Sequence, residues 1–445
     1  DQLDDQNLVK SKEVAITWCS FISEEKILWI RMIQKYGHEN IKEDPDTWRN
    51  VMFKTPTEIV KKLALALKLF FNRYGATNGS PFHFAAHSGD LQLCLQIFEK
   101  LKLKEPGYNY GCTPIHYAAM GGNIEVYKYF VKHEGKINPK DEKGFTPLYN
   151  AAHLGNFDVC KFIIDNLDNK NPTINNGVTP LHTATHNGHF DICKIIIDNV
   201  DDKNPADNRG FTPLHLASQN SHLNICKLII ENVDNKNPAN INGATPLHMA
   251  ATIGNFEIYH LIVANVIDKN PAQIDGCTPL HLAAQDGHFD ICKLIVDNVG
   301  DKNPETNNGI TPIYIAASKG YFHICKLIID NVDNKNPANI DGVTPLHTAA
   351  KNGYFEICHL IIANVIDKNP AQTDGYTPLH EAAQNGYFEI CKLIMDNVDD
   401  KNPADINGIT PLHKVSSVGH FDICQHIVDN VDGKAKNPAD LNGCT

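Results

Sequence analysis

The sequence predicts an all-α solenoid, in which pairs of short helices stack on one another behind a small helical N-terminal region. The first observation is a period of 33 residues, at which Thr-Pro-Leu-His or a near variant recurs. The second is a glycine nine residues after most of these starts, and the third is an apolar stretch that follows it. Such a period indicates repeats that each contact their neighbours. Eleven copies begin at Ser80, Thr113, Thr146, Thr179, Thr212, Thr245, Thr278, Thr311, Thr344, Thr377 and Thr410, and Gly443-Cys444-Thr445 opens a twelfth.

Residues 212–244 show how one copy is built. Thr212 can cap a helix start through its hydroxyl, and Pro213 suits the first helical position, where its missing N–H costs nothing. We expect this helix to end near Gln219, just before the position where other copies carry glycine in the left-handed conformation. Ser221 stands there instead, so we expect local backbone strain. The second helix has an apolar face too large to bury alone, made of Leu223, Ile225, Cys226, Leu228, Ile229 and Ile230.

The segment that links two copies is rich in Asn, Asp, Pro and Gly, and its Asn-Gly or Asp-Gly pair supplies tight-turn geometry. With Thr-Pro-Leu-His, Ala-Ala and Gly-His at this period, residues 80–445 resemble the ankyrin repeat. The resemblance implies turns that project like fingers, with partner contacts on the finger tips and on the exposed face of the first helix. Lysines in the linking segment follow an aspartate by one to three residues, which predicts local ion pairs of little stability (Lys170, Lys203, Lys236, Lys269, Lys302, Lys335, Lys368, Lys401).

Charge and cysteine usage limit the kinds of partner and compartment. The net charge is −12, and because residues 1–78 are nearly balanced, the negative charge lies on the repeats. An acidic repeat surface argues against nucleic acid and favours a basic or apolar protein segment. Nine of the thirteen cysteines share one position, fourteen residues after a repeat start. The cysteines of neighbouring copies would lie too far apart to form disulfides, so we expect them to be buried free thiols. We therefore expect a reducing intracellular location, cytoplasmic or nuclear, and no membrane association.

Residues 1–35 do not follow the repeat and predict two amphipathic helices. Leu3-Asp4-Asp5-Gln6 with Leu8, then Val14 and Trp18 with Phe21-Ile22, then Leu28-Trp29, resemble the later part of an F-box. The departures are that Ala15 stands where cysteine is usual and that the Leu-Pro-x-Glu opening does not occur in these residues. The alternative is a plain helical cap on the solenoid. If the resemblance holds, it implies that a Skp-type adaptor binds through Leu8, Val14, Trp18, Phe21, Leu28 and Trp29.

Residues 36–79 predict a helical cap and a joint. Thr55-Pro56-Thr57-Glu58 is a capping-box pattern that opens a helix over about residues 56–73, and apolar residues on most of its circumference predict burial. Gly75 to Gly79 forms the joint to the repeats, which we assign to residues 80–445. Because the chain starts at Asp1 and stops within a repeat, we expect it to be part of a longer protein.

The sequence contains no catalytic or cofactor-binding signature, so we expect neither an enzyme nor a bound cofactor. The histidine of Thr-Pro-Leu-His recurs in most copies, but neighbouring copies lie about 8–10 Å apart, whereas zinc ligands lie about 2 Å from one ion. We interpret these histidines as structural hydrogen-bonding groups and expect no metal. A second set at His189, His222, His288 and His420, with tyrosine in other copies, we assign to packing and to capping of the second helix.

A binding surface should lie where the copies differ from one another. The positions four and seven residues after each start flank the exposed face of the first helix, and the one to three residues before each start lie at a finger tip. Apolar and aromatic side chains there are the candidate anchors for a protein partner. They are Tyr110, Tyr117, Met120, Phe145, His153, Phe211, Leu216, Met249, Leu282, Ile315 and Tyr376.

The sequence therefore predicts protein recognition by a monomer and not catalysis. The leading hypothesis is a substrate receptor of an F-box-type cullin–RING ubiquitin ligase, whose repeats hold the target protein on their concave face. The alternative is an ankyrin scaffold, inhibitor or host-targeting effector with no ubiquitin-ligase link.

Overall fold

The computed structural model describes residues 81–92, 94–95 and 111–431, which form helices and turns with no β-strand. The predicted F-box-like helices, the helical cap and Tyr110 lie outside the described residues. The predicted all-α fold of repeated helix pairs is confirmed. The helices are α1 (Pro81–Ser88), α2 (Pro114–Gly121), α3 (Ile124–Glu134), α4 (Pro147–Leu154), α5 (Phe157–Asp165), α6 (Pro180–His186), α7 (Phe190–Ile197), α8 (Pro213–Gln219), α9 (Leu223–Asn232), α10 (Pro246–Ile253), α11 (Phe256–Val263), α12 (Pro279–Asp286), α13 (Phe289–Asn298), α14 (Pro312–Lys319), α15 (Phe322–Ile329), α16 (Pro345–Asn352), α17 (Phe355–Asn364), α18 (Pro378–Gln384), α19 (Phe388–Met395), α20 (Pro411–Val418) and α21 (Phe421–Asn430).

The chain divides into two compact units, Asp1–Lys203 and Asn204–Thr445. In the first unit, α1, α2, α4 and α6 pack in sequence, and α3, α5 and α7 pack beside them. In the second unit, α8, α10, α12, α14, α16, α18 and α20 form one row and the remaining helices a second row. None of the helices in the described residues has the length and apolar character needed to span a bilayer.

The core of each repeat is made of small and branched side chains at fixed positions. In the repeat that starts at Thr278, Leu280 and the pair Ala283–Ala284 of α12 are buried together with Ile291 and Ile295 of α13, and all are at most 1% exposed. The cysteine of the second helix completes this core. Among the described residues it is fully buried in eight copies and half-buried at Cys424; the buried members are Cys94, Cys160, Cys193, Cys226, Cys292, Cys325, Cys358 and Cys391.

The thiols confirm the prediction of buried small hydrophobes. The eleven described cysteines are all free, and burial raises the pKa of Cys226, Cys292 and Cys325 to about 12. A thiol with so high a pKa is protonated at neutral pH and a poor nucleophile. Where tyrosine replaces the cysteine, its hydroxyl finds a partner, because the Tyr259 hydroxyl donates to the carbonyl of Lys269 at 2.8 Å.

The histidine of Thr-Pro-Leu-His bonds its own helix start and the following finger in the repeats that carry it. The backbone N–H of Thr245, at the start of α10, donates to Nδ1 of His248 at 3.1 Å. Nε2 of His248 lies 3.3 Å from the carbonyl oxygen of Cys277 in the following finger. The same pair of bonds recurs at His116, His281 and His347. Nδ1 accepts and Nε2 donates, so the neutral imidazole is required. This confirms the structural interpretation of these histidines.

An asparagine of the linking segment provides a cap that the sequence interpretation missed. Asn270 Oδ1 accepts from the backbone N–H of Leu280 at 2.9 Å, which satisfies one of the free donors in the first turn of α12. The equivalent bond forms in nine of the described repeats, with the asparagines Asn138, Asn171, Asn204, Asn237, Asn270, Asn303, Asn336, Asn369 and Asn402. In the copy that starts at Thr113, the carboxylate of Glu134 takes this role toward Ile115.

The lysine ladder has partners other than the predicted carboxylates. Six of its eight members reach amide oxygens, either the asparagine side chain of the following repeat at 3.2–3.5 Å (Lys170, Lys236, Lys269, Lys302) or a backbone carbonyl of their own repeat (Lys335, Lys368). Carboxylate pairs among the described residues include Lys194–Asp198 and Lys326–Asp330, at the C-terminal ends of second helices. The ladder thus contributes contacts between and within repeats.

The second histidine set lies at the start of the second helix but forms no side-chain cap. Nε2 of His288 lies 3.1 Å from the carbonyl oxygen of Thr252 in the preceding repeat. The ring also covers Gly254, where an added Cβ would lie 2.4 Å from His288. This contact explains why the preceding repeat carries a glycine opposite such a ring.

Ser221 is the one non-glycine residue with a positive φ in the described part of the chain, at φ 62°. The predicted strain is therefore confirmed. The following repeat carries Asn255 at the position where later repeats carry a histidine or tyrosine ring. A left-handed conformation costs a non-glycine residue about 1 kcal/mol or more.

We predict that Ser221→Gly raises the free energy of unfolding by about 1 kcal/mol, because glycine adopts this conformation without strain. Urea unfolding followed by circular dichroism measures the change. Ser318→Gly within α14 is the matched control and should lower stability by about 0.5–1 kcal/mol. Equal effects of the two substitutions would contradict the assigned strain.

We also predict that the repeats lose stability as the pH falls from about 6.5 toward 4. Burial lowers the pKa of His248, His347 and His380 from 6.5 to about 4, so the unfolded chain binds more protons in this window. Backbone hydrogen bonds and nearby aspartates oppose the shift only in part. Each such histidine should therefore remove about 1.4 kcal/mol of stability per pH unit over this range.

The measurement is the urea midpoint between pH 7 and pH 4.5. The triple variant His248→Tyr, His347→Tyr, His380→Tyr should show a shallower pH dependence, since Tyr149 and Tyr314 occupy the same position in two repeats. His359→Lys, at an exposed position where Lys326 and Lys392 stand in neighbouring repeats, is the control. A pH dependence unchanged in the triple variant would assign the acid sensitivity to other groups.

Candidate protein-binding surface

Two surfaces vary between the repeats, and both are built on elements held by the core. The first is the helix-one surface, which we define as the positions four and seven residues after each repeat start. The second is the finger, the turn between the second helix and the next repeat start. Both are fixed by the histidine and asparagine bonds described above, so their side chains are presented at regular spacing.

The helix-one surface of the second unit begins with an apolar run. The residues four positions after the starts at 212, 245, 278 and 311 are half-buried and apolar: Leu216, Met249, Leu282 and Ile315. The positions three residues further on are polar and mostly exposed, as with Gln219 and Thr252. The exposed part of this apolar row can contact a partner, while its buried part stays packed in the core.

The same surface becomes charged toward the end of the unit. Glu381 stands at the position of the apolar run, and burial raises the pKa of its carboxyl group. The Glu381 carboxylate lies 4.0 Å from Nζ of Lys351, and Nζ of Lys414 lies 5.0 Å from the ring centre of Tyr376. The Tyr376 hydroxyl donates to Oε1 of Gln384 at 2.5 Å. These groups satisfy one another, so the unpaired apolar area lies in the earlier repeats.

The aromatic residues at the base of the fingers are half-buried and contact their own repeat. The ring of Phe211 lies 5.4 Å from that of His215 and 5.3 Å from the guanidinium of Arg209. Phe145 packs edge-on against Tyr149 at 5.0 Å. These rings are partly exposed, and part of their area is already covered by contacts within their own repeat.

The candidate residues of the first unit lie in different environments. Tyr117 is 4% exposed and packs edge-on against His83 at 4.8 Å, so little of its ring is open to a partner, and Met120 is half-buried. His153 is exposed, and its Nδ1 lies 2.9 Å from the Thr183 hydroxyl. Desolvation, and then the charges of neighbouring histidines, lower the pKa of His153.

The structure also shows a set of exposed apolar residues that the sequence interpretation missed. At the finger tips of the second unit, Ile241, Ile274, Ile340 and Ile406 are 62%, 72%, 66% and 65% exposed. Each stands two residues before the finger glycine, in a turn where polar residues are usual. An apolar residue in such a turn was therefore the sequence signal that could have revealed these exposed side chains.

No residue cluster in the described part of the chain suggests metal chemistry. Groups of three or more His, Cys, Asp or Glu side chains with ligand geometry do not occur among the residues from 81 to 431 that the structure describes. The arrangement can present side chains to a partner, and its buried thiols and neutral histidines serve the core.

Comparison with known proteins agrees with this geometry. The family model for ankyrin repeats (3 copies) matches residues 82–176, 165–239, 231–307, 298–372 and 360–440. A comparison with curated proteins found no significant match. Because the family model spans most of the sequence, the chain belongs to the ankyrin-repeat family, and its repeats indicate a protein–protein interaction module.

Proposed function

We propose that the helix-one surface of repeats 212–343 holds a protein partner. The observation that carries this proposal is the half-buried apolar run of Leu216, Met249, Leu282 and Ile315, in register on four successive first helices. Apolar side chains that are partly open and rigidly spaced are typical anchors for a protein segment. The acidic net charge of the repeats favours a partner with basic residues around its apolar contacts.

The finer proposal is that the chain is the substrate receptor of an F-box-type cullin–RING ubiquitin ligase. Its support is the resemblance of residues 3–35 to the later part of an F-box, with Leu8, Val14 and Trp18 in the adaptor-binding positions. In this role the N-terminal region binds a Skp-type adaptor and the repeats bind the protein to be ubiquitinated. A cytoplasmic or nuclear location follows from the same proposal.

The second candidate is an ankyrin scaffold, inhibitor or host-targeting effector without a ligase link. Ala15, which stands where an F-box usually carries cysteine, favours this candidate. In that case the N-terminal helices only cover the first repeat.

We predict that the full chain, used as bait in cell lysate, recovers a Skp-type adaptor and a cullin, identified by mass spectrometry. Trp18→Ala combined with Trp29→Ala should abolish their recovery while the circular dichroism spectrum and the other captured proteins stay unchanged. Folded bait that recovers neither adaptor nor cullin would contradict adaptor binding by residues 3–35 and favour the scaffold.

The helix-one surface is tested in the same experiment. Leu216→Thr, Met249→Thr and Leu282→Thr together should lower recovery of the target proteins at least about tenfold, since loss of hot-spot contacts costs more than about 1 kcal/mol each. Threonine is compatible with the fold because Thr183 and Thr348 stand at this position. The control is Ile267→Asp, at an exposed turn where the preceding repeat carries Asp234. Equal recovery by both variants would exclude this surface.

A further inference from the structure

The exposed isoleucines at the finger tips of the second unit are held in a fixed row. Each finger donates a backbone N–H to a carbonyl of the preceding finger, as Ile241 does to Arg209 at 3.1 Å and Ile274 to Asn242 at 3.0 Å. The bonds continue through Asn307, Ile340, Thr373 and Ile406. The tip side chains are therefore presented at the spacing of the repeats.

The polar tips in the same row show what a tip residue can contribute to the fold. Asn307 Nδ2 donates to the carbonyl of Ile274 at 3.1 Å, and the Thr373 hydroxyl donates to the carbonyl of Asp341 at 3.1 Å. Both side chains add a second bond to the preceding finger. An isoleucine gives up that bond and leaves most of its apolar surface in water, which benefits neither the turn nor the core. A partner that covers the isoleucines would explain why they stand at the tips in place of polar residues.

From the tip of Ile241 to that of Ile406 the charged tip residues are acidic, and Arg209 is the basic tip residue of the finger before them. Asp275, Asp341 and Asp374 are exposed and follow directly after a tip residue. No lysine or arginine occurs within the tip tetrapeptides that end in Gly243, Gly276, Gly309, Gly342, Gly375 and Gly408. Basic side chains on the partner would therefore meet complementary charge between the apolar contacts.

The spacing of the row selects the conformation of the partner. Stacked helices lie about 8–10 Å apart, and a polyproline II segment rises about 3.1 Å per residue with about three residues per turn. Every third side chain of such a segment would lie over one finger after another. A β-strand rises about 3.3 Å per residue and alternates its faces, so its same-side residues would not match successive fingers.

We propose that the finger-tip row of Ile241, Ile274, Ile340 and Ile406 binds an extended protein segment in the polyproline II conformation, with an apolar residue at every third position and basic residues between. This inference rests on the proposed function as a protein-binding module and names the chemistry of a segment that contacts the fingers. The apolar residues of the segment pack on the isoleucines, and its basic residues pair with the tip aspartates.

Fluorescence anisotropy with labelled synthetic peptides and the full chain tests the proposal. The probe is a peptide of six Leu-Pro-Lys repeats, compared with an isomer of the same composition written as Leu-Leu-Pro-Pro-Lys-Lys blocks and with a Leu-Pro-Glu analogue. We expect the probe to bind at least about tenfold more tightly than either of the others. Equal binding of the two isomers, or no binding of the probe, would overturn the proposal.

A pair of variants assigns the binding to the row. Ile241→Asn, Ile274→Asn, Ile340→Asn and Ile406→Asn together should weaken probe binding at least about tenfold, and asparagine suits the turn because it stands at Asn208 and Asn307. Ile267→Asp with Ile366→Asp, which removes two other fully exposed isoleucines, should leave binding unchanged. If the tip variant binds the probe normally, or only the control variant loses it, the row is not the site.

The lysate experiment separates this inference from the proposed function. A tip variant that captures the same proteins as the unaltered chain at the same yield would overturn the finger-tip row while the helix-one surface stands. Loss of a captured protein by the tip variant but not by the Ile267→Asp, Ile366→Asp control would support the row.

Discussion

The double hydrogen bond of the Thr-Pro-Leu-His histidine is the interaction on which the rest of the structure depends. On one side Nδ1 of His281 accepts from the N–H of Thr278 and so caps its own helix, and on the other Nε2 reaches the carbonyl of Ile310 in the next finger. One neutral ring therefore fixes the helix start and the position of the following repeat. The requirement for a neutral imidazole in a buried position makes this bond sensitive to acid, because protonation removes the acceptor.

The repeats can differ at their surface because most copies share this bond and the same core positions, although Tyr149 and Tyr314 replace the histidine in two copies. The alanine pair, the leucine of the first helix and the cysteine of the second helix are buried in copy after copy. The position four residues after the start is only half-buried in several repeats, so it tolerates leucine, methionine, threonine, glutamate and lysine. Variation at that position changes what the surface recognises while the stacking of the helices stays the same.

The sequence predicted those features that depend on local chemistry repeated many times. Thr–Pro helix starts, the strained Ser221 and the buried thiols each follow from residue type and position, and the structure confirms them. The asparagine caps were missed because Asn270 bonds ten residues away, and an Asn-rich linker is interpreted first as a turn. Lys170, Lys236, Lys269 and Lys302 bond to an asparagine of the following repeat, and such a partner cannot be inferred from the lysine's own linker. The adaptor-binding residues lie outside the described part of the chain, so that prediction is untested.

The finger tips and the helix-one surface contribute differently to the fold. This difference affects which of the two surfaces can change its partner preference without loss of stability. Leu282 is half-buried in the unit that it belongs to, so part of its apolar area is fixed by the fold before any partner binds. Ile274 has most of its side chain in water, and the backbone bond of its finger forms whichever residue stands there. Substitution at the tip therefore changes the surface with little effect on the free energy of unfolding. A site of that kind can adapt its partner preference independently of the solenoid, while the helix-one surface is constrained by both stability and binding.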